Sequence, residues 1–303
     1  MHEGGGSAPG AFDYATAFSR NIGWLTCEEQ ARLRSKRVAI AGLGGVGGVH
    51  LLTLARLGVG AFSLAEFDHF DLQNFNRQAG ATVSSLGLPK LDTLVDMARD
   101  INPELDIRRY PAGVKRDNVD EFLHKADVYV DGLDFFAFEA RMITFAACAR
   151  LGVPATTAAP LGMGVAVLNF LPGRMTFEEY FGFEGQPESE QVLRFVLGLS
   201  PAMLQRSYLV DRSQVSLEEH RGPSTIIACQ LCAGVAAAEA LKMLLGRGPL
   251  VAAPYGLHFD AYRNAYKRTW RPWGYRNPLQ WLGRAIARRQ LRQWRASRSS
   301  AAS

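Results

Sequence analysis

Residues 38–68 read VAIAGLGGVGGVHLLTLARLGVGAFSLAEFD. An apolar, partly β-branched strand runs into a glycine turn, a helix follows, and a second strand closes on acid. Gly42, Gly44 and Gly47 satisfy GxGxxG directly between strand and helix. In that setting the first glycine permits the tight turn, the second lets a phosphate approach the backbone, and the third lets helix and strand pack closely. The unpaired N–H groups at the helix start then face the phosphate charge. Glu66 ends the second strand 24 residues after Gly42, where an acid commonly holds ribose hydroxyls. A phosphate-binding βαβ unit is predicted. Taken alone, it fits a dinucleotide oxidoreductase as well as any other nucleotide enzyme.

Outward from this unit, strand signals fall at 37–41, 61–66, 106–110, 127–131 and 155–157, alternating with helical patterns at 46–57, 89–102, 118–125 and 137–151. Strand and helix alternating at this spacing predict a doubly wound, largely parallel Rossmann-like α/β sheet covered on both faces. Ahead of it, Thr26 and Glu29 form a capping box that opens a short helix. After Pro160 the pattern changes. GMGVAVLNFLPG (162–173) reads as a strand entering a turn, 175–191 is acidic and aromatic with no clean period, and 192–210 is helical with an interruption at Pro201. A helix at 225–245 and a strand at 257–261 follow. The expected organisation is a flexible N-terminus at 1–17, one nucleotide-binding domain at 18–262 with a crossover segment inserted at about 172–222, and a basic tail at 263–303.

With 48% hydrophobic and 21% charged residues in 303, the composition is that of an ordinary globular chain. Four cysteines are too few for a disulfide framework, no start of the secretory type is present, and the most apolar run (225–246) carries Gln230, Glu239 and Lys242. A reduced, cytoplasmic protein is expected. The net charge of +5 is unevenly spread: 11 of the 34 Lys and Arg lie from Arg263 onward with no acid, leaving 23 bases against 29 acids before it. The tail therefore suits an acidic partner: tRNA, an anionic membrane surface, or the protein's own acidic body. Leu279, Leu282, Ile286 and Trp294 fall near one helical face with arginines around the rest, a pattern that fits peripheral membrane association. A helix docked on the body accounts for it equally well.

A second group separates the nucleotide readings. Asp68, Asn74, Arg77, Gln78 and Lys90 follow the second strand, in FDHFDLQNFNRQAG and LGLPK. Arginine, lysine and asparagine gathered at a strand's carboxyl edge can clamp a triphosphate, which a nicotinamide dinucleotide does not need. DVYVDGLDFF (127–136) then presents Asp131 and Asp134 at the same edge. One of them is expected to cap the next helix. The other, Asp134, is expected to hold Mg²⁺ against phosphate oxygens, because magnesium is bound by one or two carboxylates plus substrate oxygens.

In this order the motifs resemble the ThiF, MoeB and HesA adenylyltransferases, the group that includes ubiquitin-activating enzymes. The resemblance rests on GLGGVG (Gly42 to Gly47, with Gly45 completing the double glycine), NFNRQ (74–78), Pro89 with Lys90, INP (101–103), the DxxD ending at Asp134, and AAAEALKMLLG (236–246). It implies attack of a carboxylate on the α-phosphate of ATP, giving an acyl-adenylate and pyrophosphate; the acceptor would be a peptide or small carrier-protein C-terminus. It also implies that Glu66 binds the ribose, that Asn74, Arg77 and Lys90 hold phosphates, that Asp134 holds Mg²⁺, and that Arg20 reaches into the partner's site of a homodimer. The chain departs from the family where Phe135 and Glu139 replace a usual Asn and Arg, with Arg141 out of register. It carries one CxxC, Cys229 to Cys232, instead of two, which favours buried packing over zinc. Met163 to Ala228 contains no cysteine, which disfavours a thioester. Competing readings are an NAD-dependent oxidoreductase, a non-catalytic nucleotide-binding scaffold, and an adenylating enzyme acting on tRNA.

Overall fold

The computed structural model describes residues 11–216, 220–286 and 288–289. Five strands run parallel: β1 (Arg37–Ala41), β2 (Ala61–Ala65), β3 (Asp106–Tyr110), β4 (Val128–Asp131) and β5 (Ala155–Leu161). Three antiparallel strands, β6 (Gly164–Phe170), β7 (Tyr255–Asp260) and β8 (Ala265–Trp270), extend the sheet to the order β3-β2-β1-β4-β5-β6-β7-β8. The doubly wound, largely parallel class is as the alternation of elements requires. The order reverses between β1 and β4, and open α/β sheets bind ligands at the carboxyl edge of such a switch point.

The helices are α1 (Tyr14–Ala17), α2 (Cys27–Arg34), α3 (Gly47–Arg56), α4 (Lys90–Ile101), α5 (Val119–Phe122), α6 (Phe138–Leu151), α7 (Phe177–Phe181), α8 (Glu188–Leu199) and α9 (Ile226–Leu245). Val38, Ile40, Phe62, Leu64 and Val130 face α3, α4 and α9. The opposite face carries Ala39, Ala41, Ala65, Ala155 and Ala166, and there α6, α7 and α8 supply Phe145, Phe177, Phe181 and Phe195. Small strand residues leave room for large helix residues, so both layers reach close packing with different chemistry. The capping box on α2 forms as the sequence predicts, Glu29 N–H donating to Thr26 Oγ1 and Thr26 N–H to Glu29.

By length and composition α9 is apolar enough to cross a membrane. It instead lies against α3, β5 and β6, and its buried Glu239 accepts from Asn169 Nδ2 at 2.7 Å. Within 1–17, read as a flexible N-terminus, α1 is formed and its buried Tyr14 donates to Gly58 O at 2.5 Å and accepts from Gln30 Nε2 at 3.0 Å. Two further elements depart from the sequence reading. Thr176 caps α7 within a stretch that shows no clean period, because Phe177, Tyr180 and Phe181 are held by ring packing on Phe145, Phe170, Phe183 and Phe195 and not by a helical stripe. Residues 265–270, read as the beginning of a basic tail, form the edge strand β8 instead. Beyond it, 278–286 and 288–289 are helical; Trp294 lies outside the described residues.

Candidate functional site

The loop from β1 to α3 is shaped by backbones that no side chain could separate. Gly42 has φ +79°, and a Cβ there would meet the Gly132 carbonyl carbon at 2.6 Å. A Cβ on Gly47 would run into the Gly42 carbonyl, and one on Gly132 would meet Gly47 Cα at 2.8 Å. Thus the loops that follow β1 and β4 touch backbone to backbone, and the turn predicted from GxGxxG becomes a close approach of two strand ends. Gly44 and Gly45 are the more open pair. Their nearest neighbours are Gln78 Nε2 at 3.8 Å for Gly44, and Cys229 Sγ at 3.1 Å with Arg77 Cδ at 3.6 Å for Gly45, measured from an added Cβ. Arg77, Gln78 and the start of α9 therefore gather on the glycine loop.

Glu66 is buried at the end of β2. One carboxylate oxygen accepts from Leu43 N–H at 2.7 Å, the other from Phe67 and Asp68 N–H at 2.9 and 3.0 Å. It ties the glycine loop to the second strand, a bond that the 24-residue spacing alone does not reveal. Lys90 is buried at the first turn of α4, and its ammonium donates to the exposed Asp68 at 3.1 Å. An ammonium has three donors, so the pair leaves capacity for anionic oxygens. Arg77 is half-buried and donates to Gln73 O at 2.9 Å and Asn76 Oδ1 at 3.0 Å. Gln78 is buried with its Oε1 unpaired. Asn74 spends its Oδ1 on Asp71 N–H at 3.0 Å, capping the turn that carries Arg77.

The loop after β4 places the two acids in different surroundings. Asp134 is exposed, and its Oδ1 accepts from Phe136 N–H at 2.9 Å. Neither caps α6 as expected, since its N-cap is Ala137 with no side-chain bond; Asp131 is instead buried in a hydrogen-bonded network. It accepts from Arg141 Nε at 2.9 Å, Thr157 Oγ1 at 2.9 Å and Tyr129 OH at 3.2 Å. Burial, with the Asp131 charge adding, pushes the Tyr129 phenol well above its ordinary range, so it stays a donor. Arg141, 2% exposed, also donates to the carbonyls of Leu133, Asp134 and Phe135 at 2.9, 3.0 and 3.2 Å. Its guanidinium thereby fastens the loop that presents Asp134. Sequence reasoning set Arg141 aside as out of register. The signal available was a second acid, Asp131, at the end of a buried strand.

Asp134 is a single carboxylate, and among the described residues no group of three or more His, Cys, Asp or Glu could hold a metal. That donor set fits an ion whose other ligands are phosphate oxygens and water. Cys229 and Cys232 are buried in α9, and desolvation raises both thiols above their ordinary range. Arg20 sits exposed in the turn Ser19–Asn21, and no hydrogen bond joins it to the glycine loop among the described residues. A cleft of about 480 Å³ opens at the opposite, amino edge of the sheet. Its Arg34 and Arg37 are already paired, with Glu104 and Asp106, and it lies away from the switch point.

The glycine loop bound to Glu66, the segment carrying Arg77 and Lys90, and the loop carrying Asp134 all follow the carboxyl ends of strands at the switch point. The ThiF family model matches residues 18–281. The chain belongs to the ThiF family. It is 34% identical over 146 residues to the vegetative HesA protein of Trichormus variabilis, covering 48% of this chain and 54% of that one. To the tRNA threonylcarbamoyladenosine dehydratase of Bacillus subtilis it is 31% identical over 138 residues, 45% of this chain and 54% of that one. The chain spans about half the length of these curated ThiF relatives. Among solved structures, E. coli MccB crystallised with ATP shares the fold at a TM-score of 0.59 and 18% identity, over 82% of this chain and 67% of that one.

Proposed function

We propose that the protein is a Mg-ATP-dependent adenylyltransferase that activates a carboxylate, of a peptide or small carrier protein, as an acyl-adenylate. The observation that carries this reading is Arg77 packed against the glycine loop at Gly45, with Lys90 paired to Asp68 after β2 and Asp134 on the loop after β4, all at the carboxyl edge of the sheet. A dinucleotide would use the loop and Glu66 and leave those three without work. In the reaction a carboxylate oxygen of the acceptor attacks the α-phosphorus of ATP. The bond from that phosphorus to the α,β-bridging oxygen breaks, and pyrophosphate leaves with the electron pair. Negative charge grows on the phosphate oxygens, and fixed cations that need no reorganisation lower the barrier.

In this reading the glycine-loop amides and Gln78 cradle the phosphates, and Arg77 and Lys90 neutralise the transferring and leaving groups. Asn74 holds the turn on which Arg77 is carried, while Glu66 keeps the loop in place and faces the ribose. Asp134 would hold a magnesium ion, which when bound supplies further neutralisation of phosphate charge. In the same reading the exposed Arg20 serves the site of a neighbouring copy, and the working unit is a homodimer. With no cysteine between Met163 and Ala228, the adenylate is delivered directly to its nucleophile. Calorimetric titration tests the reading without an acceptor: ATP with Mg²⁺ is expected to bind and NAD is not. Tight NAD binding with no ATP binding would overturn it.

A further inference from the structure

The helical segment 278–286 is amphipathic, but it is mounted inside out. Gln280 and Arg284 are buried against the body, and Arg288 continues the same face at the next turn. Arg288 donates to Glu190 Oε2 at 2.6 Å, and Arg284 Nε lies 3.6 Å from Glu190 Oε1. Burial opposes ionisation of Glu190, but hydrogen bonds from Arg288 and Arg194 outweigh it and hold the carboxyl below its usual range. The polar side is thus spent on the acidic body. The apolar side points away: Leu279, Leu282 and Ile286, spaced 3 and 4 residues apart along one stripe, are 76%, 50% and 48% exposed. Trp273 and Trp281 flank them, 67% and 66% exposed.

We infer that this outward stripe docks on an anionic lipid surface. Three observations choose the occupant. Aliphatic branched side chains gain nothing from phosphates or base faces, so RNA would engage the arginines and leave Leu279, Leu282 and Ile286 in water; the acyl boundary of a bilayer buries them. Tryptophan beside the stripe suits the headgroup level. Lastly, the stretch from Arg263 carries 11 bases and no acid, so a second copy laid against the same face would meet like charge, whereas anionic headgroups complement it. Arg276, which donates to Tyr275 OH at 3.1 Å, and Arg289 are exposed outside the contact with Glu190 and are the cations offered to headgroups. The docking is peripheral. It is independent of the adenylation reading, since nothing in the nucleotide site takes part.

The test uses the full chain with vesicles of equal parts phosphatidylcholine and phosphatidylglycerol, read by co-sedimentation and tryptophan emission. Wild type is expected to sediment with these vesicles and shift its emission to the blue, to bind phosphatidylcholine vesicles weakly, and to lose binding as salt rises. The double variant Leu282→Glu, Ile286→Glu removes the stripe and leaves Gln280, Arg284 and Arg288 in place. It is expected to retain its melting temperature and to bind the anionic vesicles about tenfold or more weakly. Vesicle binding equal to wild type in that variant overturns the proposal, as does failure of wild type to bind. Binding of tRNA by both proteins with no vesicle binding by either makes the tail a nucleic-acid arm. A wild type that self-associates through the tail, detected as a smaller assembly in the double variant without lipid, makes a second copy the occupant.

Discussion

The two sides of the sheet's carboxyl edge are built in contrasting ways. On the side proposed for the nucleotide, from β1 to Asp134, the surface is assembled from backbone: three glycines in contact, amides bound by Glu66, a short turn before Arg77 and the start of α4 at Lys90. On the side proposed for the acceptor, from Phe135 in the loop after β4 through the segment 172–222, it is assembled from side chains. Phe135 packs on Phe136, Phe138 and Phe195, Arg141 lies over the Phe195 ring at 4.7 Å, and Phe136 stacks on His220, which pairs with Glu188 at 3.0 Å. A triphosphate has the same shape in every reaction, so fixed amides suffice for it. An acceptor differs between enzymes, and a surface of interlocking rings can be re-cut by substitution. The replacement of the family's usual Asn by Phe135 falls on this second side, where the ring becomes part of the packing.

The sharpest way to break the comparison is at Arg141, which belongs to both sides. Arg141→Met leaves Asp131 charged and buried and is expected to cost about 3–5 kcal/mol in urea unfolding. The double change Arg141→Met, Asp131→Leu should recover much of that loss. If the single variant is as stable as wild type, the buried pair does not fasten the loop.

A smaller effect is expected from pH. Burial lowers the His50 imidazole from its ordinary 6.5 to about 4, against a weaker opposing pull from Asp131, and both ring nitrogens lack a partner. The folded state therefore resists a proton that the unfolded chain accepts. Stability should be full above pH 6.5, fall as pH drops below it, and reach its whole loss near pH 4, on the order of 3 kcal/mol. Denaturant titrations at neutral and acid pH check the slope, which His50→Leu should flatten. An unchanged slope in that variant would assign the acid sensitivity to other groups.

Within the glycine loop, Gly47→Ala and Gly45→Ala should differ. The first forces a methyl onto a backbone carbonyl, at about 1–3 kcal/mol, and should abolish ATP binding. The second meets only the Cys229 sulfur and the Arg77 stem, which can shift, so weaker binding with less than about 1 kcal/mol of destabilisation is expected. Equal behaviour of the two would mean that the backbone contact is not the constraint.

The smallest change in stability should accompany a large change in activity. Asp134→Ala removes an exposed carboxylate and is expected to stay within about 0.5 kcal/mol of wild type. With a competent acceptor, its ATP–pyrophosphate exchange should fall by about a hundredfold or more. Arg77→Ala is expected to behave similarly. Wild-type exchange in both variants would place the chemistry elsewhere.

The nucleotide side was largely legible because its parts are close in sequence. The strand, turn and helix from Val38 to Arg56, the capping box at Thr26, and the run from Asp68 to Lys90 each declare themselves within a few turns of chain. The Glu66 bond to Leu43 was not legible, since spacing tells where an acid falls and not which amide it meets. On the acceptor side, legibility fails with distance. Asp131 and Arg141 lie on a strand and a helix that only the tertiary fold brings together, and Cys229 reaches Gly45 across most of the chain. β8 was hidden by its composition. AYKRTW alternates too weakly to read as a strand, because an edge strand with one partner and an exposed surface has little apolar demand.

One hydrogen bond noted for neither side joins them. Asn76, next to Arg77, donates its amide to Ser224 O at 2.9 Å, immediately before the residue that caps α9. The end of the crossover segment and the turn proposed to hold phosphate thus share a joint. In the language of linkage, a joint common to two sites is a coupling free energy, and coupling is reciprocal. Whatever factor a bound acceptor adds to the affinity for ATP, ATP must return to the acceptor. In the proposed reaction, whose product is a mixed anhydride exposed to water, positive coupling through this joint would be a safeguard, because ATP would be held most firmly when there is a carboxylate to receive it.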